Sequence, residues 1–234
     1  MQAELEYRTS GKASKWTEEE LSNFARLQAC SVVRVPKFLT EAEIATVHRV
    51  HDRYRDEYDE PLPKQPHWVT TYLSASATHA PRGLFRATAP ALFAKLEALR
   101  LLVDANCAPR ETLEALSVRC VELHAYAPGG GLAARDHFDG GSVVTCGVML
   151  DDGFAGGEFQ TPEGRDGAWA THRYERGDAL VFPSGKFHGV RPVTAGRRKV
   201  VILEFWNGVE RNCDHRCPHP DSRISCGYVR QWPF

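Results

Sequence analysis

In RDHFDGGSVVTC, residues 135–146, an imidazole and a carboxylate stand two positions apart, as His137 and Asp139. In an extended strand residues two apart share a face, so both side chains can converge on one ion while Phe138 turns away. Alone the pair says little, because a strand edge entering a polar turn has the same composition. A third residue strengthens it. Downstream, DALVFPSGKFHGVRPV reads as a strand, a Pro-Ser-Gly turn and a further strand that His188 opens. Two histidines and one carboxylate on adjacent strands make a facial triad. Such a triad leaves positions open on one side of the ion and suits non-haem Fe(II), although the same ligand types also serve zinc.

The elements that must hold these residues follow from patterning. WTEEELSNFARLQAC carries acidic residues in its first turn and apolar Leu21, Phe24, Ala25 and Leu27 at helical spacing, which predicts a helix over 17–29. SVVRVPKFL reads as a strand, and Thr40 with Glu43 can form a capping box for a helix ending near Tyr58. HWVTTYL is a short β-rich run between loops rich in Pro, His and Ser. ATAPALFAKLEALRLLVDANC predicts a third helix, with Leu92, Leu96, Leu99 and Val103 along one face. Beyond Cys107 several β-rich runs alternate with Gly and Pro turns. The order predicts an α+β chain, a sandwich or a jelly roll (double-stranded β-helix), with N-terminal helices packed on one flank.

At 234 residues and 42% hydrophobic content, one domain over 1–234 is expected. Within it, 1–116 is the mainly helical support, 117–206 the jelly-roll core and 207–234 a tail containing Cys and His. The formal charge of −1 supplies no basic field for phosphate backbones, so nucleic acid is not a favoured partner, though a local basic groove stays open. The absence of an apolar leader or a long apolar run predicts a soluble intracellular protein without a membrane partner. The tail NCDHRCPHPDSRISC holds Cys213, His215, Cys217, His219 and Cys226. A structural zinc, a local disulfide and plain reduced cysteines are its three readings.

YAPG at 126–129, HxD at 137–139, GGEF at 156–159, GDALVFPS at 177–184 and HGVxPVxxGxR at 188–198 occur in an order that resembles the prolyl 4-hydroxylase-like 2-oxoglutarate/Fe(II) oxygenases. The likeness covers roughly 117–206, and VPKFLTEAEIATVHRV resembles the strand and helix preceding the core in many of them. Carried over residue by residue, it implies that His137, Asp139 and His188 bind iron and act as the catalytic centre. Arg198 would pair with the distal carboxylate of 2-oxoglutarate, a role suited to a planar fork of donors that keeps its charge. Arg197 is its rival, and choosing it shifts the strand by one residue and swaps every side chain to the other face. Tyr126 matches a tyrosine that reaches the same cosubstrate, or it is a core tyrosine with a satisfied hydroxyl.

Thr145, Gly147 and Met149 share one face of TCGVML and are expected to line the cofactor; some relatives have a tyrosine where Met149 stands. Glu204 stands where relatives commonly place an aromatic residue, which leaves the end of the last strand open to question.

The resemblance further implies Fe(II), 2-oxoglutarate and O2 as cofactor and cosubstrates, with ascorbate as candidate reductant. Succinate and CO2 would form as an aliphatic C–H bond is hydroxylated, and Asp139 favours hydroxylation over halogenation, because halogenating relatives lack that carboxylate. A prolyl residue in a peptide or protein is the first expected substrate; a free amino acid, another small molecule or a nucleobase is the alternative. His67, Trp68, Tyr72 and His79 are candidate substrate contacts, although packing or solvation explains each. Two other readings compete: a catalytically silent jelly-roll binding module, and a metal enzyme that does not use 2-oxoglutarate.

Overall fold

A computed structural model describes residues 17–57, 62–65, 67–74, 83–163 and 168–211 of the chain. The Cys/His tail from Cys213 to Cys226, and His79, lie outside the described residues. Helix α1 (Glu18–Ala29) starts on a capping box: the Thr17 hydroxyl accepts from the Glu20 N–H, and the Glu20 carboxylate accepts from the Thr17 N–H. Helix α2 (Glu41–Glu57) starts the same way on Thr40 and Glu43. Each box satisfies two of the donors that a helix N-terminus leaves without intrahelical partners. Strand β1 (Val33–Val35) lies between them.

The third expected helix is broken into α3 (Leu84–Thr88), α4 (Pro90–Ala98) and a 3₁₀ turn over Leu99–Leu102. Pro90 is the cause. The ring disfavours the helical region for the residue before it, and Ala89 sits at φ −140°, ψ 65°. The predicted face survives the break, since Leu92, Leu96, Leu99 and Val103 are all buried. A short helix α5 (Arg110–Ala115), which the patterning did not predict, then leads into the sheets.

Strands β2 (Leu62–Gln65) and β3 (Trp68–Tyr72) lie between α2 and α3, and after α5 come β4 (Ser117–Tyr126), β5 (Val144–Met149), β6 (Phe154–Gly156) and β7 (Phe159–Glu163). They continue with β8 (Ala168–Thr171), β9 (Ala179–Pro183), β10 (Gly189–Val190), β11 (Val193–Gly196) and β12 (Arg198–Trp206). The major sheet runs β1-β9-β5-β12-β4-β3-β2; β10-β7-β8 and β11-β6 form smaller sheets, and neighbours pair antiparallel. This is the jelly-roll arrangement of an α+β chain. No helix among the described residues is long and apolar enough to cross a membrane.

The major sheet is buried on both faces, and alternation decides what each face carries. One face presents Val121 and Leu123 of β4, Cys146 and Val148 of β5, and Val201 and Leu203 of β12 to Phe85, Phe93, Leu96 and Leu99 of the helical layer. The opposite face presents His124, Tyr126, Thr145, Gly147, Leu180, Phe182, Arg198 and Val200, and these line a cavity. The helices thus stiffen the sheet from behind and leave its polar face for chemistry.

Asp178 ties the edge of this sheet down. Its buried carboxylate accepts from the backbone N–H groups of Lys37 (2.9 Å) and Glu175 (2.9 Å) and from Arg34 Nε (2.8 Å). Burial alone would raise its pKa, but these backbone donors and the guanidinium outweigh it and hold the pKa below the usual aspartate value. A carboxyl lowered on folding contributes stability above its unfolded pKa, near 3.9, and loses it as pH falls through the folded value. Asp178→Asn is expected to cost about 2–3 kcal/mol at pH 7, less than a fully buried pair because Arg34 is partly exposed. Urea denaturation between pH 5 and 2 should show a shallower acid-side loss in the variant than in the wild type.

Candidate metal centre

His137 and Asp139 do not lie in a strand, contrary to the sequence expectation; they occupy an irregular segment between the Leu132 bridge and β5. Two backbone hydrogen bonds hold that stretch against the β9–β10 turn: Asp139 N–H to Ser184 C=O (2.8 Å) and His188 N–H to His137 C=O (3.0 Å). The placement of His137 and Asp139 is therefore set by tertiary pairing with that turn. After Asp139 the chain turns at Gly140-Gly141, with Gly141 at φ 86° and Ser142 N–H bonded back to Asp139 C=O.

The ligand atoms of His137, Asp139 and His188 all fall within 4.8 Å of one another. His137 Nε2 is 3.3 Å from Asp139 Oδ1, and His188 Nε2 is 3.6 Å from Asp139 Oδ2. Two atoms each about 2.1 Å from one ion and at right angles across it are about 3 Å apart, so the spacing fits a facial triad. His188 is buried against Phe159 and Phe182, whereas His137 is partly exposed.

The supporting contacts set the protonation and aim of these groups. His188 Nδ1 lies 3.0 Å from Lys186 C=O, which can only accept, so Nδ1 carries the proton and Nε2 offers its lone pair. That carbonyl is itself fixed: Lys186 Nζ, fully buried, donates to the carbonyls of Gln28 (2.6 Å) and Pro162 (3.1 Å) and pairs with Glu163 at 3.3 Å. Gln28, on α1, also holds the turn through Gly185 C=O and Phe187 N–H. Asp139 Oδ2 accepts from the Thr145 hydroxyl at 2.8 Å. A hydroxyl has one proton, so Ser184 Oγ, 2.8 Å from Thr145 Oγ1, donates to Thr145. Thr145, expected as a cofactor wall, does line the cavity and also orients the aspartate.

On β12, Arg198 turns inward and is 1% exposed, while Arg197 faces solvent. Nε and Nη1 of Arg198 have no hydrogen-bond partner among the described residues. Its nearest π neighbours are Tyr126 and Tyr174, with ring centroids 5.3 and 5.8 Å from the guanidinium carbon. Room for the side chain comes from Gly157, in GGEF: a Cβ there would lie 2.8 Å from Arg198 Cδ. Burial lowers the pKa of Arg198, yet an arginine keeps its charge in a protein. A buried cation with open donors is a demand for an anion.

Met149 is buried and pairs with Val200 across β5 and β12, while Thr145 and Gly147 of β5 line the cavity. Tyr174 and His124 line the cavity and were missed by the sequence reading. Tyr174 lies in a loop with no motif around it, and the one clue was a glycine inside β5, which marks close approach by another group. Trp68 lines the cavity too, and its indole N–H donates to His124 Nδ1 at 3.2 Å. His124 Nε2 therefore bears the proton and donates to the buried Glu122 at 2.6 Å. Tyr126 stacks on Trp68 and places its hydroxyl 3.2 Å from the same Nδ1. Tyr72 is buried, and His67 lies against Gly129 at the end of β4.

Glu204 is off the cavity wall. It accepts from Ser142 Oγ at 2.6 Å and lies 3.5 Å from Arg119 Nη1, which also donates to Gly140 C=O at 2.8 Å. The register passes from Glu204↔Cys120 to Phe205↔Val118, so Arg119 is the extra residue of a β-bulge. A bulge re-aims a side chain, and here it joins Glu204 to the turn after Asp139. Cys120, Glu122 and Glu204 also bring ligand atoms within 4.8 Å of one another, but Glu122 and Glu204 are engaged as described.

No family model matches the chain, and no curated protein matches it. Solved structures do. An oxidoreductase of the 2OG-Fe(II) oxygenase family from Burkholderia pseudomallei aligns at 16% identity and TM-score 0.52, over 84% of this chain and 92% of that one. HygX from Streptomyces hygroscopicus, solved with nickel and 2-oxoglutarate bound, aligns at 14% identity and TM-score 0.51, over 82% and 87%. A Pseudomonas putida prolyl-4-hydroxylase aligns at 18% identity and TM-score 0.50, over 80% and 97%. The chain has the fold of the 2-oxoglutarate/Fe(II) oxygenases. At these identities the likeness is one of fold.

Proposed function

We propose that this chain is an Fe(II)- and 2-oxoglutarate-dependent dioxygenase that hydroxylates an aliphatic C–H bond, with a prolyl residue of a peptide as first substrate. One observation carries the proposal: a single cavity contains both a His-Asp-His triad and a buried arginine with open donors. The donor sets fit the two groups: neutral imidazoles and a carboxylate suit Fe(II), and a guanidinium suits a carboxylate. Bound together, iron and 2-oxoglutarate supply oxygen activation coupled to oxidative decarboxylation, giving succinate and CO2.

The chain's own residues bind and orient. His137, Asp139 and His188 would hold the metal, and Thr145 and Lys186 C=O keep Asp139 and His188 aimed at it. Arg198 and Tyr126 would receive the distal carboxylate. Phe159, Leu180 and Phe182 line the cavity between these groups and exclude water, which strengthens every charge interaction inside it. A neighbouring groove lined by Arg135, Trp169 and Arg191 shares Leu132 and Val190 with the cavity and offers a peptide room beyond the residue modified.

Purified chain incubated with Fe(II), 2-oxoglutarate and ascorbate is expected to form succinate slowly without substrate. The rate should rise with a proline-containing peptide that gains the mass of one oxygen. Failure to bind or consume 2-oxoglutarate in the presence of Fe(II) would overturn the proposal and leave a binding module. Turnover with a free amino acid and none with peptides would overturn the peptide assignment alone.

A further inference from the structure

We infer that Tyr174 is a further donor to the distal carboxylate of 2-oxoglutarate, beside Arg198 and Tyr126, delivered by the β8–β9 loop into space that Gly147 leaves open on β5. The inference rests on the oxygenase assignment above and adds a specificity residue to it. Three observations carry it. The Tyr174 hydroxyl is buried and has no hydrogen-bond partner among the described residues. A buried phenol is ordinarily hydrogen-bonded, so its oxygen is placed for an acceptor supplied from outside the chain. It shares the cavity with Arg198, whose Nε and Nη1 are also without partners among the described residues and whose guanidinium carbon lies 5.8 Å from the Tyr174 ring. A Cβ on Gly147 would stand 2.7 Å from the Tyr174 hydroxyl oxygen, so the small residue and the large one occupy one volume in turn.

The ring is held independently of any ligand, edge-on to Phe159 with centroids 6.4 Å apart. Burial pushes the phenol pKa up, so the hydroxyl stays a donor at neutral pH. Met149, farther along the same face of β5, has no donor to offer. Arg198 and Tyr174 reach the cavity from different elements and can grip one carboxylate from two directions.

The test is calorimetric titration of 2-oxoglutarate into the full chain loaded with Mn(II), for wild type, Tyr174→Phe, Gly147→Ala and the double variant. Tyr174→Phe is expected to weaken 2-oxoglutarate binding roughly 10- to 100-fold, the weight of a hydrogen bond to a charged group. Its ligand-free melting temperature should not fall, because the hydroxyl lost has no partner among the described residues. In turnover, KM for 2-oxoglutarate should rise while kcat at saturation holds, a split that a packing defect would not give. Gly147→Ala should also weaken binding, and the double variant should bind no worse than Tyr174→Phe, because the added methyl meets the hydroxyl. Tyr174→Phe binding like a tight-binding wild type would overturn the role of Tyr174 and leave the oxygenase assignment standing. A wild type that binds no 2-oxoglutarate would overturn both.

Discussion

Arg198→Met is expected to make the ligand-free chain more stable and to abolish its response to 2-oxoglutarate. Nε and Nη1 of this arginine have no hydrogen-bond partner among the described residues, and the side chain is 1% exposed. Tyr126 and Tyr174 give the cation only the faces of two rings, worth about 2 kcal/mol or somewhat more when desolvated. That falls short of the several kcal/mol that dehydrating an ion costs. Replacing buried charge by an apolar side chain of similar length is commonly neutral or stabilising by about 1–4 kcal/mol. Binding should move the other way, since removing one partner of a buried carboxylate–guanidinium pair costs about 3–5 kcal/mol, or roughly two to nearly four orders of magnitude in affinity. Urea denaturation with and without 2-oxoglutarate reads both effects. At about 100 times Kd the cosubstrate should stabilise the wild type by about 2.7 kcal/mol and leave the variant unmoved. A variant less stable than the wild type without ligand would mean that the fold itself needs the guanidinium.

Asp139→Ala should remove metal-dependent succinate formation altogether. The carboxylate is the only anionic member of the triad and stands between two imidazoles, at 3.3 Å from His137 Nε2 and 3.6 Å from His188 Nε2. The loss of metal affinity should exceed the roughly 10- to 100-fold that follows removal of an outer partner such as Thr145, because here the metal ligand itself is gone. The fold should survive. Asp139 holds its loop through a backbone N–H to Ser184 C=O, and Thr145 keeps Ser184 as a partner, so neither contact needs the carboxylate. Near-UV circular dichroism should match the wild type while equilibrium dialysis with Mn(II) shows the loss. A variant that binds Mn(II) within a factor of two of the wild type would rule out Asp139 as a ligand.

Much of the centre was legible because its residues are marked locally. His137 and Asp139 stand two apart, His188 follows a Pro-Ser-Gly turn, and the ordered motifs between Tyr126 and Arg198 point to one fold. Both capping boxes were equally local, each needing only a threonine and a glutamate three residues on. The break at Pro90 was also written in the chain, and the continuous apolar stripe Leu92-Leu96-Leu99-Val103 concealed it, since burial of the face does not require one unbroken helix.

Other features had no local mark. Tyr174 is one tyrosine in a polar loop until Gly147, 27 positions earlier in the chain, is seen to make room for its hydroxyl. His124 reads as a strand residue until Trp68 fixes its tautomer and Glu122 takes its proton. Glu204 looked like a misplaced charge in an apolar strand. A bulge at Arg119, set by the register of two strands some 80 residues apart in sequence, makes it an anchor for the turn after Asp139.

Residue type and short-range spacing by themselves determined the capping boxes, most of the helices and strands and the HxD pair, because each depends on chemistry within a few positions, while the order of motifs along the chain pointed to the jelly roll and to His188. Only the tertiary structure decided which of Arg197 and Arg198 turns inward and that Met149 pairs with Val200. It alone set His137 and Asp139 in a segment outside any strand and brought Tyr174 beside Arg198. Those outcomes depend on register, on close approach between distant strands and on which buried polar groups find partners, and such long-range pairings are fixed only when the sheets close.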